Sequence, residues 1–192
     1  MDERLVAWAR AVKSRRRSHL PVLWLFTDAA RLPDPLAAAA RLPRGLCGVV
    51  FRHDGDPARA ALGEALARIC RARRLLLVVA GDVRLAARLH AGVHLRRAQG
   101  SAAVRGRLAT SSAHSVAELR RARRAGVALA FLSPAYPTAS HPGAPALGAV
   151  RWTAMARSAG IPVAALGGIA GTSIGRLGRG TCAGAGAIGA LA

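Results

Sequence analysis

Val163-Ala-Ala-Leu166-Gly167-Gly168-Ile169 closes an apolar run with two glycines. Glycine lets backbone amides approach an anion closely, and a helix start adds a favourable dipole. The pair therefore predicts a phosphate-binding turn, although a plain tight turn needs the same residues. Ser133 to Gly148 is a second candidate, with Thr138, Ser140 and His141 set between prolines. A long loop bearing hydroxyls and an imidazole suits a lid over a site, and equally a stiff surface loop. Ser111-Ser112-Ala113-His114-Ser115 is a third. Its histidine is suited to acid or base work near neutral pH, or to a structural hydrogen bond. Arg52 ends another apolar run, and its guanidinium could clamp a phosphate or a planar ring. The alternative for Arg52 is one more surface arginine. His94, in Gly92-Val-His-Leu95, reads as a core histidine satisfied by backbone groups. The six histidines show no metal-ligand spacing, and nine acidic residues leave few carboxylate ligands.

Positioning these groups requires regular elements. Eight short apolar runs recur: 22–27, 47–52, 75–80, 92–95, 107–110, 127–133, 162–166 and 184–188. Several are continuous and aliphatic, as in parallel strands buried on both faces. Ala/Arg-rich amphipathic stretches separate them. Asp56-Pro57 opens one helix, and Ser115-Val-Ala-Glu118 has capping-box spacing ahead of another that Gly126 stops. Ala149 to Ala159 forms a further helix closed by Gly160. Strand-then-helix repetition gives a parallel sheet with right-handed crossovers. Eight strands close a compact (β/α)₈ TIM barrel of the α/β class, with the last helix short or missing. Five or six strands would instead form an open doubly wound sheet. Residues 1–20 form a helical extension (Glu3 to Arg16) that covers the barrel bottom. Residues 21–192 form the barrel, and the whole is one domain.

The chain has 192 residues and a formal charge of +20, carried almost entirely by arginine, with Lys13 the only lysine. The densest cluster, Arg15-Arg16-Arg17, has no interleaved aromatics to stack bases, so the charge reads as helix surface and nucleic-acid binding is not expected. Cys47, Cys70 and Cys182 are far apart and make no CxxC pair, which suits small core residues in a reducing compartment. No apolar stretch is long enough for a membrane span, and no secretory pattern is visible. A cytoplasmic enzyme is the expectation.

These pieces follow a known order. Leu23-Trp-Leu-Phe-Thr27-Asp28, Gly92-Val93-His94-Leu95, Ser112-Ala-His114-Ser115, Pro134 to Thr138, Pro145 to Gly148 and Gly167-Gly168-Ile169 resemble the thiamine phosphate synthase and TenI-like thiazole tautomerase family over about residues 22 to 191. The resemblance implies a barrel that joins hydroxymethylpyrimidine diphosphate to thiazole phosphate in thiamine biosynthesis, releasing diphosphate. It implies small phosphorylated heterocycles as ligands and leaves a homodimer open. It places Arg52 and Ser112 near pyrimidine and diphosphate, and Thr138 and Ser140 on phosphate groups. It puts His141 in place of a family lysine, and His114 at a histidine that shuttles protons in the tautomerases. The amides of Gly168, Ile188 and Gly189 would hold the thiazole phosphate, with Gly148, Gly167 and Ile169 beside them.

Departures from the family fall in the first half. The glutamine expected before Arg52 is Val50, and the lysine after it is Asp54. The asparagine-aspartate pair expected after the third strand is Ala80-Gly81, with Asp82 one position displaced. The second Mg²⁺ carboxylate falls near Gln99. The family implies Mg²⁺, yet this chain lacks both carboxylates, so no metal ligand is expected. Arg96 and Arg97 are candidates to supply positive charge in its place. A synthase is the leading reading. A thiazole phosphate tautomerase, or a non-catalytic binder of phosphorylated ligands, is the alternative.

Overall fold

Eight short strands pair in sequence order and close on themselves: β1 (Leu23–Phe26), β2 (Cys47–Phe51), β3 (Leu76–Ala80), β4 (Gly92–Leu95), β5 (Ala109–Ala113), β6 (Leu129–Leu132), β7 (Val163–Leu166) and β8 (Cys182–Ala187). Every ladder is parallel, and β8 pairs with β1 to complete the barrel. The computed structural model describes residues 1–16, 18–96, 106–138, 143, 145–178 and 180–192. Arg97, Gln99, Ser140 and His141 lie outside the described residues.

The lumen explains how so short a chain closes. Trp24, Phe26, Val50, Val78, Leu129, Phe131, Ala164 and Ala183 form one buried cluster inside the barrel. Three large rings meet edge to face there, Trp24 to Phe131 at 5.7 Å and Phe26 to Phe131 at 4.9 Å between centroids. Glycines opposite them supply the room. A Cβ at Gly48 would lie 2.7 Å from the Trp24 ring, and one at Gly186 would lie 2.6 Å from Phe26. Gly92 is equally crowded, at 2.9 Å from Val78 Cγ1.

Helices α1 (Glu3–Arg15), α2 (Pro35–Arg41), α3 (Arg59–Arg73), α4 (Val83–Arg88), α5 (Val116–Arg124), α6 (Gly148–Arg157) and α7 (Gly171–Ile174) ring the strands. Only a 3₁₀ turn, Gly189–Leu191, follows β8. The vacant place in the ring is taken by α1. It packs against α7 and β8 rather than under the barrel. The physical reason is its stripe of Leu5, Val6, Trp8, Ala9 and Val12, which needs an apolar wall of helical length. Asp2 fastens this arrangement, accepting from Leu5 N at 3.1 Å and from Gly171 N at 2.6 Å. Those two bonds hold its carboxyl below the usual range against the opposing effect of burial, with Gly171 the larger cause.

Several boundaries differ from the sequence expectation. β5 runs on to Ala113, because Thr110 and Ser112 continue the face opposite Leu129 and Phe131. β8 begins at Cys182 and ends at Ala187. α3 starts at Arg59: Asp56 Oδ1 spends itself on Ala58 N at 2.8 Å, a local turn ahead of the helix. Ser115 does cap α5, accepting from Glu118 N at 3.2 Å. Glu118 reaches back one residue further than a capping box requires, to His114 N at 2.7 Å.

Candidate functional site at the C-terminal mouth

In this architecture the residues just after each strand converge on one mouth. On one side stand the ends of β7 and β8. Their last ladder pair is Leu166 and Gly186, after which both chains turn. Gly167 (φ +88°) and Gly168 (φ +64°) occupy the left-handed region that favours glycine. A Cβ at Gly168 would come within 2.8 Å of Tyr136 Cβ, and one at Gly167 within 3.0 Å of Pro134 Cα. The glycine pair is thus demanded by the loop after β6. That loop is stitched on by Tyr136 N to Gly167 O at 3.0 Å, Ala135 N to Leu166 O at 2.8 Å, and Tyr136 Oη to Ser173 O at 3.0 Å. The carbonyls of Gly167 and Gly168 are therefore engaged, the latter by Ser173 Oγ at 3.1 Å. The amides of Gly168, Ile169, Ile188 and Gly189 donate to no described group. Four N–H donors thus gather where two adjacent strands end. Gly148, at the start of α6, gives its amide to Ala135 O at 3.0 Å. Thr138 is half-buried.

His114 is exposed beside these loops, and its Nδ1 lies 3.0 Å from Ser133 O. A carbonyl only accepts, so the neutral ring carries its proton on Nδ1 and offers a bare Nε2. Ser112 lies half-buried on the lumen face of β5, two residues before it.

The opposite side of the mouth, over β1 to β4, is built from charged side chains. Arg52 donates to Asp28 Oδ2 at 2.9 Å and spans the Phe26 ring at 5.6 Å. Its backbone N–H reaches Thr27 Oγ1 at 3.0 Å, and the same hydroxyl lies 3.0 Å from His53 Nδ1. Burial would raise Asp28, but Arg31 and Arg52 together hold its carboxyl below the usual range. His53 is buried against Phe51, with ring centroids 5.4 Å apart, and burial lowers its proton affinity. Further round, Arg59 pairs with Asp54 at 3.3 Å and Asp82 at 3.9 Å, and donates to Ala80 O at 2.7 Å. Arg96 pairs closely with Asp54. Its Nε would lie 3.7 Å from a Cβ at Gly81, so the guanidinium fills the space in front of that glycine.

Below this rim, His94 is buried in the lumen. Its Nδ1 meets Thr110 Oγ1 at 2.9 Å, and its ring stands edge-on to Phe26 at 5.6 Å. It is a core histidine as expected, satisfied by a hydroxyl rather than by backbone. Burial, with help from Arg52 and Arg96, pushes its pKa down to about 3.

The structure therefore brings Arg52 together with Thr27 and Asp28, and His114 together with Ser133. It gathers Gly167, Gly168 and Ile169 beside Ile188 and Gly189. Two residues escaped the sequence reasoning, His53 and Arg59. His53 directly follows Arg52 and was readable as a second polar residue at the same strand end. Arg59 looked like any helix-surface arginine. A cleft of about 400 Å³ lies away from this mouth, between the C-terminal ends of α3 and α4 and the starts of β3, β4 and β5. Cys70 lines it. Among the described residues no group of three or more His, Cys, Asp or Glu is placed to hold a metal, and no helix is long and apolar enough to cross a membrane.

A closed eight-stranded parallel barrel with strands and helices in alternation defines the (β/α)₈ barrel class. Residues 25–191 match the family described as thiamine monophosphate synthase, and the chain belongs to that family of thiamine-biosynthesis enzymes. It is 37% identical over 161 residues to a thiamine-phosphate synthase of Chromobacterium violaceum, covering 79% of this chain and 76% of that protein. A thiamine-phosphate synthase of Bacillus velezensis is 29% identical over 174 residues, covering 83% and 78%. Among solved structures, a thiamine phosphate pyrophosphorylase from Pyrococcus furiosus superposes with a TM-score of 0.74 at 23% identity, covering 86% of this chain and 84% of that one.

Proposed function

We propose that this chain joins hydroxymethylpyrimidine diphosphate to thiazole phosphate. The observation that carries the reading is the set of four amides at the adjoining ends of β7 and β8 that donate to no described group. Backbone N–H groups fixed in one place suit the terminal phosphate of the thiazole. In the reaction the bond from the pyrimidine methylene carbon to the diphosphate oxygen breaks, leaving a pyrimidine cation. The thiazole nitrogen then attacks that carbon and forms the new C–N bond. Arg52, anchored by Asp28 and Thr27, faces the departing charge from the opposite rim. Ser112 is assigned to the pyrimidine and diphosphate end, Thr138 and Ser140 to phosphate groups, and His141 to the diphosphate.

The Mg²⁺ that the family implies does not fit the described residues. Gly81 has no side chain where a carboxylate is expected, and Arg96 fills the space before it. Asp54 and Asp82 are already paired with arginines. The purified chain, supplied with both substrates and saturating magnesium, is expected to form thiamine phosphate. Absence of product under those conditions would refute the transferase reading.

One observation favours a second reading, tautomerisation of thiazole phosphate. Ser133 O fixes the His114 tautomer with Nε2 bare, as a proton shuttle requires. His114→Ala should then abolish solvent-deuterium exchange into thiazole phosphate while leaving its binding intact. Exchange that survives in the variant rules His114 out.

A further inference from the structure

The charged half of the mouth holds four guanidinium groups, Arg31, Arg52, Arg59 and Arg96, against three carboxylates, Asp28, Asp54 and Asp82. Each carboxylate is paired with at least one arginine, and Asp28 and Asp54 are each paired with two. A divalent cation needs oxygen ligands with charge to spare, and these have none. Asp82 is committed twice over. Its Oδ1 caps α4 by accepting from Leu85 N at 2.8 Å, and its Oδ2 faces Arg59.

The place that matters most is in front of Gly81. Its amide is bound to His94 O at 3.2 Å, and its φ of +68° holds the backbone in the left-handed region. No side chain projects from it, and the Arg96 guanidinium lies over the vacated space. Arg96 is anchored through one nitrogen to Asp54, its only ion-pair partner among the described residues, and its side chain is 59% exposed. A guanidinium carries five N–H donors in a rigid fork, so one anchoring bond leaves most of them for a ligand. Arg52 follows β2, the strand paired with the one that Gly81 follows. It too is anchored through one terminal nitrogen to a carboxylate, with its side chain 32% exposed.

We infer that Arg96, with Arg52, forms a metal-independent subsite for a diphosphate group, the guanidinium over Gly81 standing where a divalent cation would otherwise be held. This rests on the transferase reading only for the identity of the ligand that carries the diphosphate. The chemistry itself is general. Two anchored guanidinium groups recognise the oxygens of a diphosphate by charge-assisted, forked hydrogen bonds. Arg59 serves as a positioning residue. Its guanidinium bridges Asp54 and Asp82 and lies over the Phe51 ring at 5.8 Å, holding Asp54 in place for Arg96.

Inorganic pyrophosphate is the probe, followed by isothermal titration calorimetry on the full chain at constant ionic strength. Binding is expected in full in EDTA, and excess magnesium, which complexes free pyrophosphate, should not strengthen it. Arg96→Gln should weaken it on the order of tenfold or more, consistent with loss of a charge-assisted pair, and Arg96→Lys should recover part of that loss. The Mn²⁺ electron-paramagnetic signal should titrate as free ion in the wild type. In Gly81→Asp/Arg96→Ala, which exchanges the guanidinium for a carboxylate, it should diminish. Pyrophosphate binding that needs magnesium, or that Arg96→Gln leaves unchanged, overturns the inference. So does saturable Mn²⁺ binding by the wild type. Circular dichroism confirms that each variant is folded before it is scored. The transferase reading fails independently. If pyrophosphate binds without metal but no thiamine phosphate forms, the reaction is wrong and the subsite stands. If product forms while pyrophosphate binding requires magnesium, the subsite is wrong and the reaction stands.

Discussion

Replacing His94 with Gln should flatten the acid limb of the stability curve. His94 is enclosed in the lumen, with Thr110 as its hydrogen-bond partner and Phe26 and Phe131 against its ring. Its pKa in the folded chain is pushed down to about 3 from an ordinary 6.5. The native ring stays neutral, whereas the unfolded chain protonates as pH falls below about 6.5. The folded value is depressed, so the stability is fully present above the unfolded pKa. It drains away as pH falls toward the folded one. At pH 5 the native ring is still neutral, so the magnitude is set by the unfolded chain alone. One and a half pH units of protonation correspond to about 2 kcal/mol lost between pH 8 and pH 5. Domains of this kind have roughly 5–15 kcal/mol in total. The loss is therefore a large share and should shift a urea midpoint by about 1 M, taking about 2 kcal/mol/M as the slope. Urea melts of wild type and His94→Gln from pH 8 to pH 5 give the comparison. The variant starts lower, because glutamine refills the site imperfectly, yet should fall less steeply with acid. His53, whose proton affinity burial also lowers, leaves a residual slope in both proteins. Parallel curves for the two proteins would refute the reasoning, because the acid sensitivity would then come from elsewhere.

Three further outcomes are expected. Gly168→Ala should cost roughly 2–4 kcal/mol in a chemical melt and weaken thiazole phosphate binding, since a Cβ would meet Tyr136 and the Pro137 carbonyl at φ +64°. Asp2→Ala removes a carboxylate that serves two helices, and should cost about 1–2 kcal/mol by the same assay above pH 5, with the difference shrinking as acid protonates Asp2. Cys47, Cys70 and Cys182 are buried, with burial pushing their thiols up to about 12, 12 and 11. They should resist a thiol-reactive dye in the folded chain and all react in denaturant.

The barrel was legible because its signal is local. A continuous apolar run such as Cys47 to Phe51 is what a strand buried on both faces requires, and eight of them leave little choice of topology. Boundaries were less so. β5 contains three polar residues, Thr110, Ser111 and Ser112, and reads as a loop until the neighbouring strands supply the ladder and the lumen supplies the partners. The glycine pair after β7 was readable as a turn close to something. That the something includes Tyr136 and Pro134 was not, because those contacts span more than thirty residues. The charged rim was least legible. In a chain with 29 basic residues, nothing in the sequence separates Arg59 from Arg68 on the same helix. Only the fold shows that Arg59 bridges Asp54 and Asp82 while others coat the surface.

The placement of α1 bears on the anion site as well as on the barrel. Among the described residues a 3₁₀ turn follows β8, and α1 lies against α7 and β8 with five buried side chains. This packing brings Asp2 onto the start of α7, where its carboxylate takes the Gly171 amide at 2.6 Å. That amide is lost to any ligand, and a negative charge now sits beside the turn. On the proposed reading, an anion at the mouth is left Gly168 and Ile169 on one strand end and Ile188 and Gly189 on the other. Asp2 also ties the N-terminus to the last residues of the chain, through Asp2 N to Ala190 O at 2.8 Å. The two strand ends that supply the amides are thus braced by one residue. Loosening it should disturb the β7 and β8 end of the mouth before it disturbs the barrel.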